Sequence, residues 1–281
     1  MILSAFADEY CDDFCGQLEF LNREGIGFIE IRGVNGKNIS TLSESEAKEC
    51  KKELDKAGIK VSSMGSPLGK YPIEDDINPH LDTAKKIFEF ANLFGAKLCR
   101  VFSFYMPEGK NPDDYKEKVY ENHEKLICLS EQYGVSLCHE NEWGIYGQSP
   151  EKCLELINRF DGRFHTVFDM GNYVLDGYKP WKENYESLKH SIRYFHIKDA
   201  LSAGAIVPAG CGEANIKEIL SDYQSTANSD FFVSIEPHLQ TFSGLNQLAG
   251  KNFDNPYKFE TKEKAFEEDL RLFRALFNKR S

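Results

Sequence analysis

The chain has 281 residues, of which 41% are hydrophobic and 28% are charged, and its formal net charge is −11. This length and composition predict one globular domain over residues 1–281 rather than two domains. The acidic balance, with no basic block, argues against a nucleic-acid partner. No apolar stretch is long enough for a membrane span and no basic leader precedes the first apolar residues, so we expect a cytoplasmic protein without a membrane partner.

Eight cysteines are scattered along the chain, and none belongs to a Cys-x-x-Cys pair. Several of them lie within apolar segments, where a free thiol behaves as a small hydrophobic group. This usage predicts reduced thiols rather than a disulfide scaffold, in agreement with a cytoplasmic location.

Segments that suit strands alternate with segments that suit amphipathic helices along the whole chain. The predicted strands are 2–6, 28–31, 59–64, 97–104, 135–140, 164–169, 193–196 and 231–236. The predicted helices are 12–24, 41–56, 80–94, 114–133, 149–159, 185–190, 216–223 and 262–277, and glycines follow four of them. Eight such units in succession predict an α/β protein with a single (β/α)8 TIM barrel. An open doubly wound sheet is less favoured because it usually has fewer strands.

Four consecutive predicted strands, the fifth to the eighth, end at a residue that can bind a metal ion. These residues are Glu140, Asp169, His196 and Glu236. Because the carboxyl ends of barrel strands meet on one face, we expect the four side chains to converge. Three carboxylates and one imidazole suit Mn²⁺, Mg²⁺ or a catalytic Zn²⁺. Each residue alone would more often be an ordinary polar side chain, so the prediction depends on the four occurring together.

Six further polar residues near predicted strand ends are candidate substrate-binding groups: Ser66, Arg100, Glu142, Asn172, Lys198 and His238. For each of them, an ion pair in a loop or in the barrel is the ordinary alternative. Lys198 follows His196 by two residues and would face the same side of a continuing strand, although it could instead pair with Asp199. The Gly210-x-Gly212 turn is a weak signal for a phosphate-binding loop.

The sequence resembles the xylose-isomerase-like TIM-barrel superfamily, which contains sugar and sugar phosphate isomerases and epimerases, inosose dehydratase and nucleases of the endonuclease IV (AP endonuclease family 2) type. The resemblance covers nearly the whole chain. The most specific motifs are His139-Glu140-Asn141, Val167-Phe168-Asp169, the segments 196–199 and 210–213, and Ser234-Ile235-Glu236-Pro237-His238.

The resemblance implies that Glu140, Asp169, His196 and Glu236 hold one divalent metal ion, commonly Mn²⁺, with Mg²⁺, Zn²⁺ or Co²⁺ as alternatives. It also implies that Glu140 and Glu236 form the acid/base pair of a 1,2-proton shift. Dimers and tetramers are common in such families, so a homo-oligomer is an open expectation.

Two positions depart from the pattern of ketose 3-epimerases in this superfamily. Asn172 stands where those enzymes carry a histidine, and Ser202 stands where they carry an arginine. Both differences argue against transferring 3-epimerase activity to this chain. The nuclease type requires additional His and Asp ligands for a three-metal cluster, and the missing histidine at 172 and the acidic charge argue against it too.

The sequence therefore predicts a divalent-metal-dependent sugar isomerase or epimerase that transfers a proton through a cis-enediolate. The expected substrate is a small sugar or a carbonyl compound derived from a polyol. A metal-dependent dehydratase of a keto-inositol or keto-sugar is the first alternative, because it begins with the same proton abstraction. A non-catalytic sugar-binding barrel is the second.

Overall fold

The computed structural model describes residues 1–239 and 257–278. In this part of the chain, eight parallel strands form a nearly closed barrel, as predicted. The strands are β1 (Ile2–Ala5), β2 (Phe28–Ile31), β3 (Lys60–Met64), β4 (Leu98–Val101), β5 (Ser136–Glu140), β6 (Phe164–Asp169), β7 (Ile192–Ile197) and β8 (Phe232–Ile235). From β2 to β8 each strand pairs with the next in the chain, and β8 pairs with β1. β1 and β2 lie in contact at the remaining seam.

Helices cover the outside of the barrel. Those in the described part of the chain are α1 (Phe14–Arg23), α2 (Glu44–Ala57), α3 (Asn78–Phe94), α4 (Lys116–Gln132), α5 (Pro150–Phe160), α6 (Met170–Leu175), α7 (Tyr185–Leu188), α8 (Ile216–Thr226) and α9 (Lys262–Phe277). Their apolar faces pack against the strands, and the core between the two layers is rich in fully buried phenylalanine.

Helix α2 shows how local sequence sets the ends of an element. The Ser43 hydroxyl accepts a hydrogen bond from the backbone N of Glu46, and the Glu46 carboxylate accepts one from the backbone N of Ser43, which forms a capping box. At the other end, Gly58 adopts φ +68°. This left-handed conformation carries no steric penalty for glycine and ends the helix.

The structure differs from the sequence prediction mainly where the chain leaves the barrel. The predicted fourth strand extended to residue 104, but β4 ends at Val101, and Phe104 adopts a left-handed φ of +68°. Helix α6 was not predicted, because its six residues are too few to show a helical period. Two short hairpins were also missed: Gly33–Val34 with Lys37–Asn38 after β2, and Asp199–Ala200 with Ile206–Val207 after β7.

No disulfide links the eight cysteines, all of which lie in the described part of the chain. Among residues 1–239 and 257–278, we find no helix that is both long and apolar enough to cross a lipid bilayer.

Phe88 on α3 is fully buried, so its replacement tests the packing of the outer helices on the barrel. We expect Phe88→Ala to lower the free energy of unfolding by about 3–5 kcal/mol, because it removes packed surface and leaves a cavity. Urea denaturation followed by circular dichroism measures this change. Lys85→Ala, on the exposed face of the same helix, should change it by about 0.5 kcal/mol or less. Equal losses in the two variants would contradict the observed packing.

Candidate active site

The carboxyl ends of four neighbouring strands bring the predicted metal-binding residues together. Glu140 and Asp169 end β5 and β6, His196 lies near the end of β7, and Glu236 directly follows β8. All four are buried, and one ligand atom from each lies within 4.8 Å of the corresponding atoms of the other three. The strand register contributes directly, because Asp169 pairs with His196 on the adjacent strand. We call these four residues the acidic cluster.

Three buried atoms of the acidic cluster have no hydrogen-bond partner: Glu140 Oε2, His196 Nδ1 and Glu236 Oε2. Nδ1 lies 3.1 Å from Glu140 Oε1 and 3.3 Å from Glu236 Oε2, distances that suit an ion pair, yet it lacks hydrogen-bond geometry. Unpaired buried polar atoms are costly, so they point to a missing partner. Carboxylate oxygens and an imidazole nitrogen that converge in this way fit one divalent cation.

Lys198 supplies a buried positive charge beside the acidic cluster. Its Nζ donates to Asp169 Oδ2 at 2.9 Å and to Asn172 Oδ1 at 3.1 Å, and it lies 3.4 Å from Glu236 Oε2. Attraction to Asp169 and Glu236 exceeds the opposing effect of burial and raises the pKa of Lys198 above its ordinary value. The ammonium group is therefore charged at neutral pH.

Two arginines flank Glu236 and share one aromatic ring. Arg32 Nη1 donates to Glu236 Oε1 at 2.8 Å, while Arg100 Nη1 lies 3.7 Å from the same oxygen and 3.2 Å from Glu140 Oε2. Both guanidinium groups lie over the ring of Phe6, at 4.5 and 5.0 Å from its centroid. These cation–π contacts hold both guanidinium groups beside the Phe6 ring.

The environment gives two members of the acidic cluster different acidities. Burial raises the pKa of Glu140, but the positive charges of His196, when its imidazole is protonated, and of Arg100 outweigh burial and lower the pKa to about 2. For Asp169, burial prevails over the attraction of Lys198 and raises the pKa to about 6. Glu140 is therefore ionised at neutral pH, as a metal ligand or a proton acceptor must be.

A cavity of about 380 Å³ opens at this end of the barrel, and Glu140 and Glu236 contribute to its wall. This size suits a small-molecule ligand. Five of the six predicted substrate-binding residues line it: Arg100, Glu142, Asn172, Lys198 and His238. Arg100, Asn172 and Lys198 also contact the acidic cluster, whereas Glu142 pairs with Lys70 at 2.8 Å.

His238 lies at the mouth of the cavity, with 40% of its side chain exposed. Its Nε2 is 3.0 Å from Glu9 Oε1 and 3.4 Å from Glu236 Oε1. Its backbone adopts φ +46°, and its backbone N donates to Glu9 Oε2 at 2.8 Å. The left-handed conformation turns the chain directly after Glu236, so the imidazole stays next to that carboxylate.

The sixth predicted residue, Ser66, has a different position. It is fully buried and does not line the cavity. Its hydroxyl donates to the backbone O of Arg100 at 2.5 Å and accepts from the backbone N of Leu68 at 3.2 Å. Ser66 therefore joins the loop after β3 to β4, and this placement gives no support to the prediction of substrate contact.

The Gly210-x-Gly212 turn is occupied by a side chain of the protein itself. The Asp199 carboxylate accepts hydrogen bonds from the backbone N of Gly210 at 2.8 Å, Gly212 at 2.9 Å and Ala214 at 3.0 Å. A Cβ atom at Gly212 would lie only 2.2 Å from Asp199 Oδ1, so glycine is required there. The turn is therefore a cradle for Asp199 rather than for a phosphate, and Lys198 pairs with Asp169 instead of Asp199.

Sequence reasoning missed several residues of the cavity. Asp176 and Leu175 reach it from the end of α6, a helix that was not predicted, and Lys70 reaches it from the loop after β3. Nothing in the local sequence marks these three. Arg32 is recognisable in the sequence as a polar residue near a strand end, because it follows β2 directly, but its partner Glu236 lies far away in the chain.

Comparisons with known proteins agree with this architecture. The chain matches the sequence model of a family described as xylose isomerase-like TIM barrel over residues 18–276. A search of curated proteins finds no match. One similar solved structure is the IOLI protein with a bound zinc atom, which has 19% identity and a TM-score of 0.76, with 98% of each chain covered.

Two further similar structures carry enzyme names. The 3-keto-D-glucoside 4-epimerase YcjR from E. coli has 14% identity and a TM-score of 0.71, with 98% of this chain and 99% of that chain covered. The probable 3-DHS dehydratase AsbF from Bacillus anthracis has 17% identity and a TM-score of 0.70, with 84% and 92% covered. At these identities, the likeness shows a shared fold alone.

We expect the purified protein to hold about one divalent ion per chain, because the acidic cluster offers one set of converging ligands. The double variant Glu140→Gln, Glu236→Gln should lose the ion, because it removes two of the three carboxylates. Elemental analysis by mass spectrometry after dialysis measures the content. Glu142→Gln is the matched control, since this carboxylate lies in the same cavity but pairs with Lys70. Metal retained by the double variant would contradict the site.

Proposed function

This chain belongs to the xylose isomerase-like TIM-barrel family, and we propose that it is a divalent-metal-dependent isomerase or epimerase of an uncharged sugar or polyol-derived carbonyl compound. The observation that carries the proposal is the buried acidic cluster, which meets the wall of a cavity of small-molecule size. The solved structures that resemble this chain include enzymes named as sugar epimerases. A metal-dependent dehydratase is the second candidate, because a named dehydratase shares the fold.

Glu140, Asp169, His196 and Glu236 would hold the divalent ion, which when bound supplies Lewis acidity for the negative charge that develops on substrate oxygens. Glu140 and Glu236 are the side chains that would transfer protons in the reaction. Both line the cavity, and their strands, β5 and β8, lie three positions apart around the barrel. The two carboxylates therefore reach the cavity from different parts of the barrel wall. One ionised carboxylate removes the proton beside the carbonyl group and becomes a carboxylic acid. In an isomerase, this acid gives the same proton to the neighbouring carbon; in an epimerase, the other glutamate, protonated beforehand, gives its own proton to the opposite face of the carbon.

Lys198 assists the same proton transfer. Its charged ammonium group lies in the cavity wall, fixed by Asp169 and Asn172. A preorganised positive charge stabilises an oxyanion that forms during proton abstraction, since it needs no reorganisation. In the dehydratase alternative, Lys198 would also donate a proton to the leaving hydroxyl. The isomerase or epimerase and the dehydratase thus share proton abstraction as their first step. They differ in which substrate group the Lys198 ammonium group contacts.

The charges around the cavity favour a substrate without a phosphate or carboxylate group. Each cationic residue of the wall is already paired: Arg32 with Asp8, Glu9 and Glu236, Lys70 with Glu142, Arg100 with Glu140, and Lys198 with Asp169. Asp176 adds a further acidic group to the same wall. An anionic substrate that binds near the acidic cluster would have to displace the ion pair of Arg100 or of Lys198, which is costly because both pairs are buried. Hydroxyl groups need no such displacement.

Solvent exchange tests the proposed chemistry. With metal-loaded protein in D₂O, we expect deuterium to enter an uncharged ketose or keto-inositol next to its carbonyl group, as measured by NMR. Glu140→Gln and Glu236→Gln should each slow the exchange by about 10²–10⁴-fold, because each removes a general acid or base. Glu19→Gln, on the exposed face of α1, is the control and should not change the rate.

The products separate the candidates. Exchange with a rearranged sugar supports the isomerase or epimerase, while absorbance from an unsaturated product supports the dehydratase. Absence of exchange across a broad panel of sugars would contradict both and favour a binding protein.

A second measurement tests the charge preference. We expect kcat/KM for an uncharged substrate to exceed that for its phosphate ester by about 100-fold or more, because displacing a buried ion pair costs several kcal/mol. Steady-state kinetics on the matched pair of compounds gives this ratio. A preference for the phosphate ester would contradict the proposed substrate class and leave the acid/base assignment untouched.

A further inference from the structure

We propose that Glu30 is a positioning residue that fixes the imidazole of His196 so that its Nδ1 faces the acidic cluster. This inference rests on the proposed metal site. Glu30 lies on β2, far from His196 in the chain, and its side chain is completely buried. Its Oε2 is 3.3 Å from His196 Nε2, on the side of the ring opposite to Nδ1. The two nitrogens of His196 thus face two different partners.

The Glu30 carboxylate is itself fixed by hydroxyl groups from other strands. The Tyr194 hydroxyl donates to Oε1 at 2.8 Å, and the Ser234 hydroxyl donates to Oε2 at 2.6 Å. Ser234 pairs with His196 on the adjacent strand, and Tyr194 precedes His196 by two residues, so both hydroxyls lie on the interior side with the imidazole. The Ser63 hydroxyl, 2.9 Å from that of Tyr194, extends the network to β3.

Two aromatic rings restrict rotation of the imidazole. The Phe6 ring lies edge-on to His196 with centroids 5.0 Å apart, and the Tyr194 ring lies 5.5 Å away. Within the described part of the chain, His196 is the one basic side chain within 4.0 Å of the Glu30 carboxylate. A buried carboxylate that accepts from an imidazole N–H selects the tautomer whose other nitrogen is free to bind a metal. This is the arrangement required at Nδ1.

A purely structural role for Glu30, as an acceptor for Tyr194 and Ser234, makes different predictions. Under that alternative, removing the negative charge would change protein stability but not the metal affinity of the folded protein. A positioning role requires the metal affinity to fall even where the protein stays folded. Glu30→Gln separates the two, because it keeps the size and an acceptor oxygen but removes the charge.

The test is a measurement of divalent-metal affinity. We expect Glu30→Gln to raise the dissociation constant for Zn²⁺ by about 10–100-fold, as measured by competition with a chromophoric chelator. Asp269→Asn is the matched control, because Asp269 is also a buried acid but bonds to the backbone N of Ala209. Its dissociation constant should equal that of the unmodified chain. Ser234→Ala, which removes one donor to Glu30, should give a smaller increase than Glu30→Gln and serves if Glu30→Gln does not fold.

A spectroscopic measurement adds a direct view of the imidazole. In the zinc-loaded protein with ¹⁵N-labelled histidine, we expect His196 to carry its proton on Nε2, with a downfield proton resonance that shifts in Glu30→Gln. Unchanged affinity together with an unchanged His196 signal would overturn the positioning role. If the unmodified chain bound no divalent ion, the metal site and this inference would both fall. Metal binding without exchange into any sugar would contradict the proposed function alone.

Discussion

Burial of several negative charges in one small volume is the constraint on which this structure depends. Glu140, Asp169 and Glu236 lie close together inside a barrel, where carboxylates without partners are strongly destabilising. Lys198 and two arginines offset part of this cost, yet three buried polar atoms of the acidic cluster still lack a hydrogen-bond partner. A divalent cation at the centre would complete the charge balance. The surrounding fold, from the strand register to the aromatic rings, holds the carboxylates in the positions that they would otherwise leave.

The fold and the centre of the site could be predicted from the sequence because both follow from periodic patterns. Glycine-terminated helices alternating with short apolar strands indicate a closed barrel, and in such a barrel the ends of β5 to β8 meet. Glu140, Asp169 and His196 belong to those strands, and Glu236 follows the last of them. The proximity of these four residues could therefore be predicted without knowing the conformation of the loops.

Some residues of the outer part of the site could not be predicted, because their positions depend on segments without a period. Asp176 reaches the cavity through α6, and Ser66 turns towards the backbone of Arg100 instead of the cavity. The Gly210-x-Gly212 turn has the composition of an anion-binding loop, and its anion is Asp199, which only the tertiary structure reveals. For each of these residues, the group that it contacts is known only from the folded structure.

The N-terminal cap of α6 links the chemistry of the site to its shape. The Asp169 side chain accepts a hydrogen bond from the backbone N of Asn172 through one oxygen, at 2.8 Å, and contacts Lys198 through the other. Helix α6 begins immediately after Asp169 and carries Leu175 to the cavity wall, with Asp176 directly after it. The Asp169 carboxyl group therefore holds Lys198 and also caps the segment that brings Leu175 and Asp176 to the cavity wall. A change of ligand preference in this part of the wall would therefore require substitutions in α6 after its first turn. Asp169 would have to be retained, because it also contacts Lys198.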